Sequence, residues 1–275
     1  MDQPNFGPVV QRLIFGLRAR ALRNSAQLDL SGAASAIGMT KDKLSKIENG
    51  VLGTTPAEVE RMITRFGVLG EAAAELRELA KQARRKAAPE RVGDWGRQYV
   101  ALERDATEVR MVYPEIPGAM LTAECALEHL VRSPVVLPAQ AEGMAQAREV
   151  RGNHMLAATS QRVSVILGEE ALHREVGGRD GLRRQLERVQ LFAEQPHISV
   201  RVYPLSAGSA AGLSCPFTLL WIEPANVRIA YTENLTGSDY LKTTGAYAAA
   251  FDDASTRVLS EDATRELLER RINDL

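Results

Sequence analysis

The chain of 275 residues carries 45% hydrophobic residues, 25% charged residues and 12 prolines, which excludes a disordered or collagen-like polypeptide and suits one large domain or two modest ones. Its longest apolar stretches, such as 214–222 and 247–251, fall far short of the ~20 residues that span a bilayer, and no charged start followed by an apolar core opens the chain, so a cytoplasmic protein with no membrane partner is expected. The net charge of −1 hides an asymmetry: residues 1–92 hold 15 Lys and Arg against 10 Asp and Glu, a balance of +5, while residues 93–275 hold 19 against 25, a balance of −6. A basic segment joined to an acidic one suggests a polyanion-binding module. Cys125 and Cys215 lack a CxxC neighbourhood, which predicts neither a disulfide framework nor a metal knuckle and fits reduced thiols in a core.

In chain order, Val10, Leu13, Ile14, Leu17 and Leu22 recur at helical spacing between Arg12, Arg18, Arg20 and Arg23, predicting an amphipathic first helix. Asp29 is placed to N-cap a short helix that runs through Ile37 and ends at Gly38. Thr40 then offers a second N-cap for a helix over Lys41 to Glu48, closed by Asn49-Gly50. Two short helices around a Gly-containing turn form the helix-turn-helix pattern. A Pro56-initiated helix to about Phe66 and an Ala-rich helix over 70–87 complete a five-helix bundle. The run from Lys81 to Pro89 reads as its end and a linker, placing a domain boundary near residue 90.

Beyond that boundary the β-branched and aromatic runs 162–167, 197–203, 216–222 and 226–232 predict four short strands, the last two joined as a hairpin through Glu223-Pro224-Ala225. Helices are expected at 95–110, 122–131, 139–158, 169–175, 179–194 and 236–256. The fold class is therefore α+β and multidomain: an all-α helix-turn-helix bundle at 1–90, then a mixed α/β domain with about four strands at 91–275.

The segment Leu44-Ser45-Lys46-Ile47-Glu48-Asn49-Gly50, following Thr40-Lys41-Asp42-Lys43, resembles the recognition-helix region of lambda-repressor-like (Xre-type) DNA-binding domains. Leu44 and Ile47, three apart, should face the bundle, leaving Lys41, Asp42, Ser45 and Lys46 exposed. The resemblance implies that Lys41, Asp42 and Lys46, with Ser45, read the major groove of an operator duplex, while Lys43 meets phosphate. Lysine can donate to guanine and aspartate can accept from cytosine. The sequence departs from the family at Leu30, where a phosphate-binding Gln is usual, and at Val51-Leu52, where a basic pair is usual. Backbone anchoring would then be borrowed from the helix start at Thr54-Thr55-Pro56.

Further along, Asp94-Trp95, Tyr99, Leu102-Glu103 and Tyr113 to Thr122 resemble the start of the C-terminal domain of the Scr-type Xre regulators of actinobacteria. Leu167 to Leu172, Val176-Gly177-Gly178, Gln185-Leu186, Val200 to Pro204, Phe217 and Tyr231-Thr232-Glu233-Asn234 continue the likeness. It implies a transcriptional regulator, often paired in an antitoxin-like arrangement with a small protein encoded next door.

Catalytic and cofactor signatures are missing. His129, His154, His173 and His197 show no HxxxH or HExxH spacing, no GxSxG elbow appears, and the glycines at 177–178 and 208–212 lack phosphate-loop spacing. Neither an enzyme nor a cofactor is expected. The 206–214 loop is small-sided enough to cover a pocket or a partner surface. Trp95, Tyr99 and Glu103 share one helical face and could converge with Tyr113 on a ligand or partner, with core packing as the competing account. The expectation is a homodimeric, sequence-specific DNA-binding regulator on a palindromic operator, its second domain receiving a signal from a small protein partner or a small-molecule ligand.

Overall fold

The computed structural model describes residues 6–85 and 94–275, except for the side chains of Asp94, Trp95 and Pro224. A first compact unit contains α1 (Pro8–Ser25), α2 (Leu30–Ala36), α3 (Lys41–Glu48), α4 (Pro56–Arg65) and α5 (Gly70–Ala83). The second contains α6 (Asp94–Asp105), β1 (Glu108–Tyr113), α7 (Ala123–Val131), α8 (Pro138–Ala157), β2 (Arg162–Gly168), α9 (Gly178–Ala193) and β3 (Ile198–Tyr203). It continues with α10 (Ala211–Ser214), β4 (Phe217–Ile222), β5 (Val227–Asn234), β6 (Gly237–Leu241), α11 (Gly245–Ser255) and α12 (Glu261–Asn273). The α+β class read from the sequence is the class observed.

In the first unit the helix starts are set by side-chain caps. Asp29 accepts from the Gly32 N–H at 2.9 Å, and Thr40 accepts from the Lys43 N–H at 3.2 Å. Thr55 and Glu58 form a reciprocal capping box at α4, with Pro56 at its first turn. These partners satisfy backbone donors that a helix N-terminus otherwise leaves open. Phe15, Ile37, Leu44, Ile47, Met62 and Leu76 then close the core. Leu44 and Ile47 point inward as their spacing predicted, both fully buried. Gly16 lets α1 lie against the end of α3, since a Cβ there would sit 2.4 Å from the Ile47 carbonyl oxygen.

The second unit is organised on a six-stranded sheet of order β3-β2-β1-β4-β5-β6. β1 pairs β2 and β2 pairs β3 in parallel, whereas β1–β4, β4–β5 and β5–β6 are antiparallel. Six strands are present among the described residues, where about four are expected from the sequence. β1 lies at the end of the predicted 95–110 helix, because Glu108-Val109-Arg110 interleaves charges that also suit a helix face; its alternation buries Val109 and Met111 on one side and Val112 on the other. β6 lies inside the predicted 236–256 helix: Gly237, Ser238 and Asp239 are poor strand formers, and this edge strand is held by pairing to β5. The expected helix at 169–175 is a single 3-10 turn, Glu169–Leu172, and α12 had no counterpart among the predicted helices.

One face of the sheet is sealed by α10 and α11 around Val112, Ile166, Phe217, Leu219 and Phe251. On the opposite face, register places Met111 beside Thr218, Thr218 beside Tyr231, and Tyr231 beside Tyr240 in one row. Near this row α8 approaches the Gly118–Met120 turn closely at Gly152, where a Cβ would lie 2.0 Å from the Ala119 carbonyl oxygen and 2.7 Å from Arg188 Nη2. That approach allows the arginines of α8 to reach the sheet face.

Gly152→Ala should therefore lower stability by about 1–3 kcal/mol or more through overpacking. Gly245→Ala, at a helix start where a Cβ meets nothing within 4 Å, should be neutral or slightly stabilising in the same thermal unfolding experiment.

Candidate nucleic-acid interface and polar cavity

α3 is held by a buried ion pair. Glu48, 1% exposed, accepts Arg23 Nε at 2.6 Å on one carboxylate oxygen and Arg23 Nη2 at 3.0 Å on the other. Arg23 Nη1 donates to the Leu28 carbonyl at 2.7 Å. Arg20 adds Nε to Glu48 at 3.2 Å and Nη2 to Asn49 Oδ1 at 2.8 Å. One guanidinium thus ties α1, the turn after it and the C-terminal end of α3, using the planar fork that suits a carboxylate. Hydrogen bonding to Glu48 raises the Arg23 pKa despite the opposing effect of burial.

With its apolar side and its end fixed, α3 turns Lys41, Asp42 and Lys46 to solvent, while Lys43 and Ser45 are half-buried. Lys46 Nζ lies 2.8 Å from Asp42, one turn away and well exposed, so the pair contributes at most about 0.5 kcal/mol and opens readily. Lys43 is engaged differently: its ammonium donates to Glu58, the capping-box residue of α4. Burial works to raise the Glu58 pKa, but the bonds from Lys43 and Thr55 outweigh it and hold the carboxyl below its ordinary value. At the start of α4 the Thr55 N–H is taken by Glu58 at 2.8 Å. Thr40 and Thr55 are exposed, whereas Thr54 is 4% exposed. Val51 and Leu52 are exposed.

The second unit contains a cavity of about 540 Å³. The Tyr99 hydroxyl donates to Glu103 at 2.5 Å, and Thr218 Oγ1 lies 3.4 Å from that hydroxyl and 3.1 Å from the Tyr113 hydroxyl. Thr218 thereby links the two tyrosines expected to converge. Tyr99 also stacks on Tyr231, centroids 4.1 Å apart. Arg151 Nε sits 2.9 Å from Glu103 Oε2, within ion-pair range though not aligned for a hydrogen bond, and its guanidinium lies over the Tyr99 ring. Burial raises the Tyr99 pKa strongly, with the Glu103 charge adding to it, and pushes Tyr113 up to about 12. Both phenols are therefore neutral hydroxyls at physiological pH. Burial also raises Glu233 and lowers His129, both of which line the cavity.

A family model described as a helix-turn-helix domain matches residues 14–76, covering all of α2, α3 and α4. A second model, described as a domain of unknown function (DUF5753), matches residues 96–270. The chain belongs to the DUF5753 family. No curated protein and no solved structure matches it. The helix-turn-helix match supports a DNA-binding regulator. Among the described residues, no helix is long and apolar enough to cross a membrane and no group of three His, Cys, Asp or Glu is placed to hold a metal ion.

Within the DUF5753 region the structure brings Tyr99, Glu103 and Tyr113 together, while the Trp95 side chain lies outside the described residues. Sequence reasoning missed the basic side of the cavity, Arg148 and Arg151, because it comes from the separate helix α8. Tyr231 and Glu233 belong to the Tyr-Thr-Glu-Asn stretch, to which the sequence assigns no role; the alternation of Ile229, Tyr231 and Glu233 is the available signal, since it puts all three on one sheet face. Gln185 donates to the Met120 carbonyl at 2.8 Å and accepts from the Thr122 N–H at 2.9 Å, fixing the turn into α7. Of the two cysteines expected in a core, Cys125 is buried but Cys215 is exposed. The 206–214 loop folds into the short turn before α10 and α10 itself, with Gly212 packed on Val112 and Phe217.

Glu48→Ala should cost about 3–5 kcal/mol in urea unfolding, since it leaves Arg23 buried without its carboxylate. Glu75→Ala removes an exposed partner of Arg18 and should cost no more than about 1 kcal/mol. The Glu58 contribution should be fully present above the ordinary glutamate pKa of about 4.3 and vanish as pH falls through the lower folded value. Glu58→Gln should remove that part of the acid dependence of the urea midpoint.

Proposed function

We propose that the protein is a sequence-specific transcriptional regulator of Xre type, with a DNA-binding domain at about 1–90 and a signal-receiving domain at about 91–275. The observation that carries this reading is the state of α3. Its inner side and its end are fixed by Leu44, Ile47 and the Arg23–Glu48 pair, while Lys41, Asp42 and Lys46 stand exposed along its first turns. An anchored helix with a free polar face is what major-groove reading requires. Lys41, Asp42 and Lys46 would contact bases with Ser45 at the margin, and Thr40, Lys43 and Thr55 would lie along the phosphate backbone. Thr54 would support that backbone contact through the α4 start rather than by its buried side chain.

One such head offers a small interface. A homodimer on half-sites about one helical turn apart gains effective concentration and reads a palindrome, and this is the assembly proposed. The signal is a small molecule in the reading that the cavity favours.

Lys46→Ala should relax preference at one operator position and cost about 1–3 kcal/mol. Lys43→Ala should weaken all duplexes alike and reduce the salt slope by about one unit, since its ammonium leaves Glu58 for phosphate when DNA binds. Binding titrations over a salt series with single-base operator variants separate the two. Equal behaviour of both variants would overturn the assigned roles.

A further inference from the structure

The walls of the DUF5753 cavity divide into two kinds. Ile116, Pro117, Leu121, Leu130, Val136 and Met144 make one part apolar. The other carries Arg148, Arg151, the tyrosine hydroxyls and Glu233. A volume of about 540 Å³ falls within the ~300–1,000 Å³ range of small-molecule sites, which are commonly apolar with a few placed polar groups.

The charges in the polar part are unequally answered. Glu103 faces both the Tyr99 hydroxyl and Arg151. Glu115 faces Arg174 at 3.3 Å, and Glu233 accepts from the Tyr231 hydroxyl at 3.3 Å. Arg148 makes no hydrogen bond or ion pair with any described residue, and the charges that act on it at longer range are the like charge of Arg151 and the carboxyl of Glu233. Burial makes the charge on Glu233 less favourable, which weakens the compensation it offers. A half-buried guanidinium beside a second arginine, with five donors to satisfy, is better stabilised by an anion than left alone.

We propose that this cavity binds a small molecule with an apolar body and one anionic group, a carboxylate or a phosphate, and that Arg148 holds the anionic group in a forked contact. The Tyr113 hydroxyl, whose bond with Thr218 can run in either direction, is able to donate to a remaining acceptor, and the apolar wall takes the body. The regulatory meaning rests on the reading of this region as a signal-receiving domain; the binding itself does not.

The test is calorimetric titration of the full-length protein with 4-phenylbutyrate, its amide 4-phenylbutyramide, the amine 4-phenylbutylamine, and phenyl phosphate. The carboxylate or the phosphate should bind about tenfold or more tightly than the amide and the amine, and whichever anion wins identifies the group the site takes. Arg148→Gln should erase that preference by weakening the anions at least about tenfold more than the amide, and Arg148→Lys, which keeps the charge but loses the fork, should retain part of it. Equal binding of acid and amide, tightest binding of the amine, an Arg148→Gln variant that keeps the preference, or no binding of any probe at ~10 mM would each overturn the proposal. DNA binding measured on the same Arg148→Gln sample should match wild type. A protein that takes the anions but no DNA would sink the regulator reading and leave the anion site standing.

Discussion

The carboxylate of Glu48 is the constraint on which the first unit depends. A charge at the end of α3, removed almost entirely from water, is tolerable only if it is paired and hydrogen-bonded, and Arg23 does both through two parallel donors. Because the third arm of the same guanidinium holds the Leu28 carbonyl, the pair fixes the turn that leads into α2 together with the helix that carries the exposed lysines. Gly16 adds the steric half of that constraint by letting α1 come within backbone contact of Ile47 and Glu48. The Glu-Asn-Gly ending of the motif thus works as a structural clamp, while Lys41, Asp42 and Lys46 earlier in α3 stay exposed.

In the second unit the equivalent organising fact is register. Successive pairing of Met111, Thr218, Tyr231 and Tyr240 across β1, β4, β5 and β6 lays a threonine and two tyrosines in a row on one face of the sheet, opposite the core of Val112, Phe217, Leu219 and Phe251. A polar patch on a buried sheet face costs desolvation unless other elements supply partners. α6 supplies Tyr99 and Glu103, and α8 supplies Arg148 and Arg151. The result is a cavity whose polar groups are mostly paired with one another and whose one cation without an ion pair among the described residues is Arg148. Strand register sets Thr218 by Tyr113 of β1 and the packing of α6 brings Tyr99, so Thr218 bridges two tyrosines that lie fourteen positions apart in the chain.

Legibility followed the range of the interactions involved. Helix starts at Asp29, Thr40 and Pro56 were readable because a cap acts over three residues, and the inward direction of Leu44 and Ile47 was readable because helical spacing is local. β1 and β6 were not: the charges of Glu108 and Arg110 suit a helix surface as well as a strand, and Gly237 to Asp239 form a strand only because β5 offers a partner. The cavity was half readable. Tyr99 and Glu103 lie one turn apart on α6 and reveal their shared face in sequence, whereas Arg151 meets Glu103 only after α8 is packed at Gly152. The role of Glu58 was hidden for the same reason: its capping box is local, but its capture of Lys43 depends on how α3 and α4 are set against each other.

The central claim is that the exposed side of α3 recognises a DNA sequence. The most direct test is an equilibrium titration of the full-length protein with duplex DNA from upstream of its own gene and with a scrambled duplex of equal length and composition, both at ~150 mM salt. The account predicts preference for the upstream duplex by about a hundredfold or more. Equal affinity for the two duplexes would contradict it.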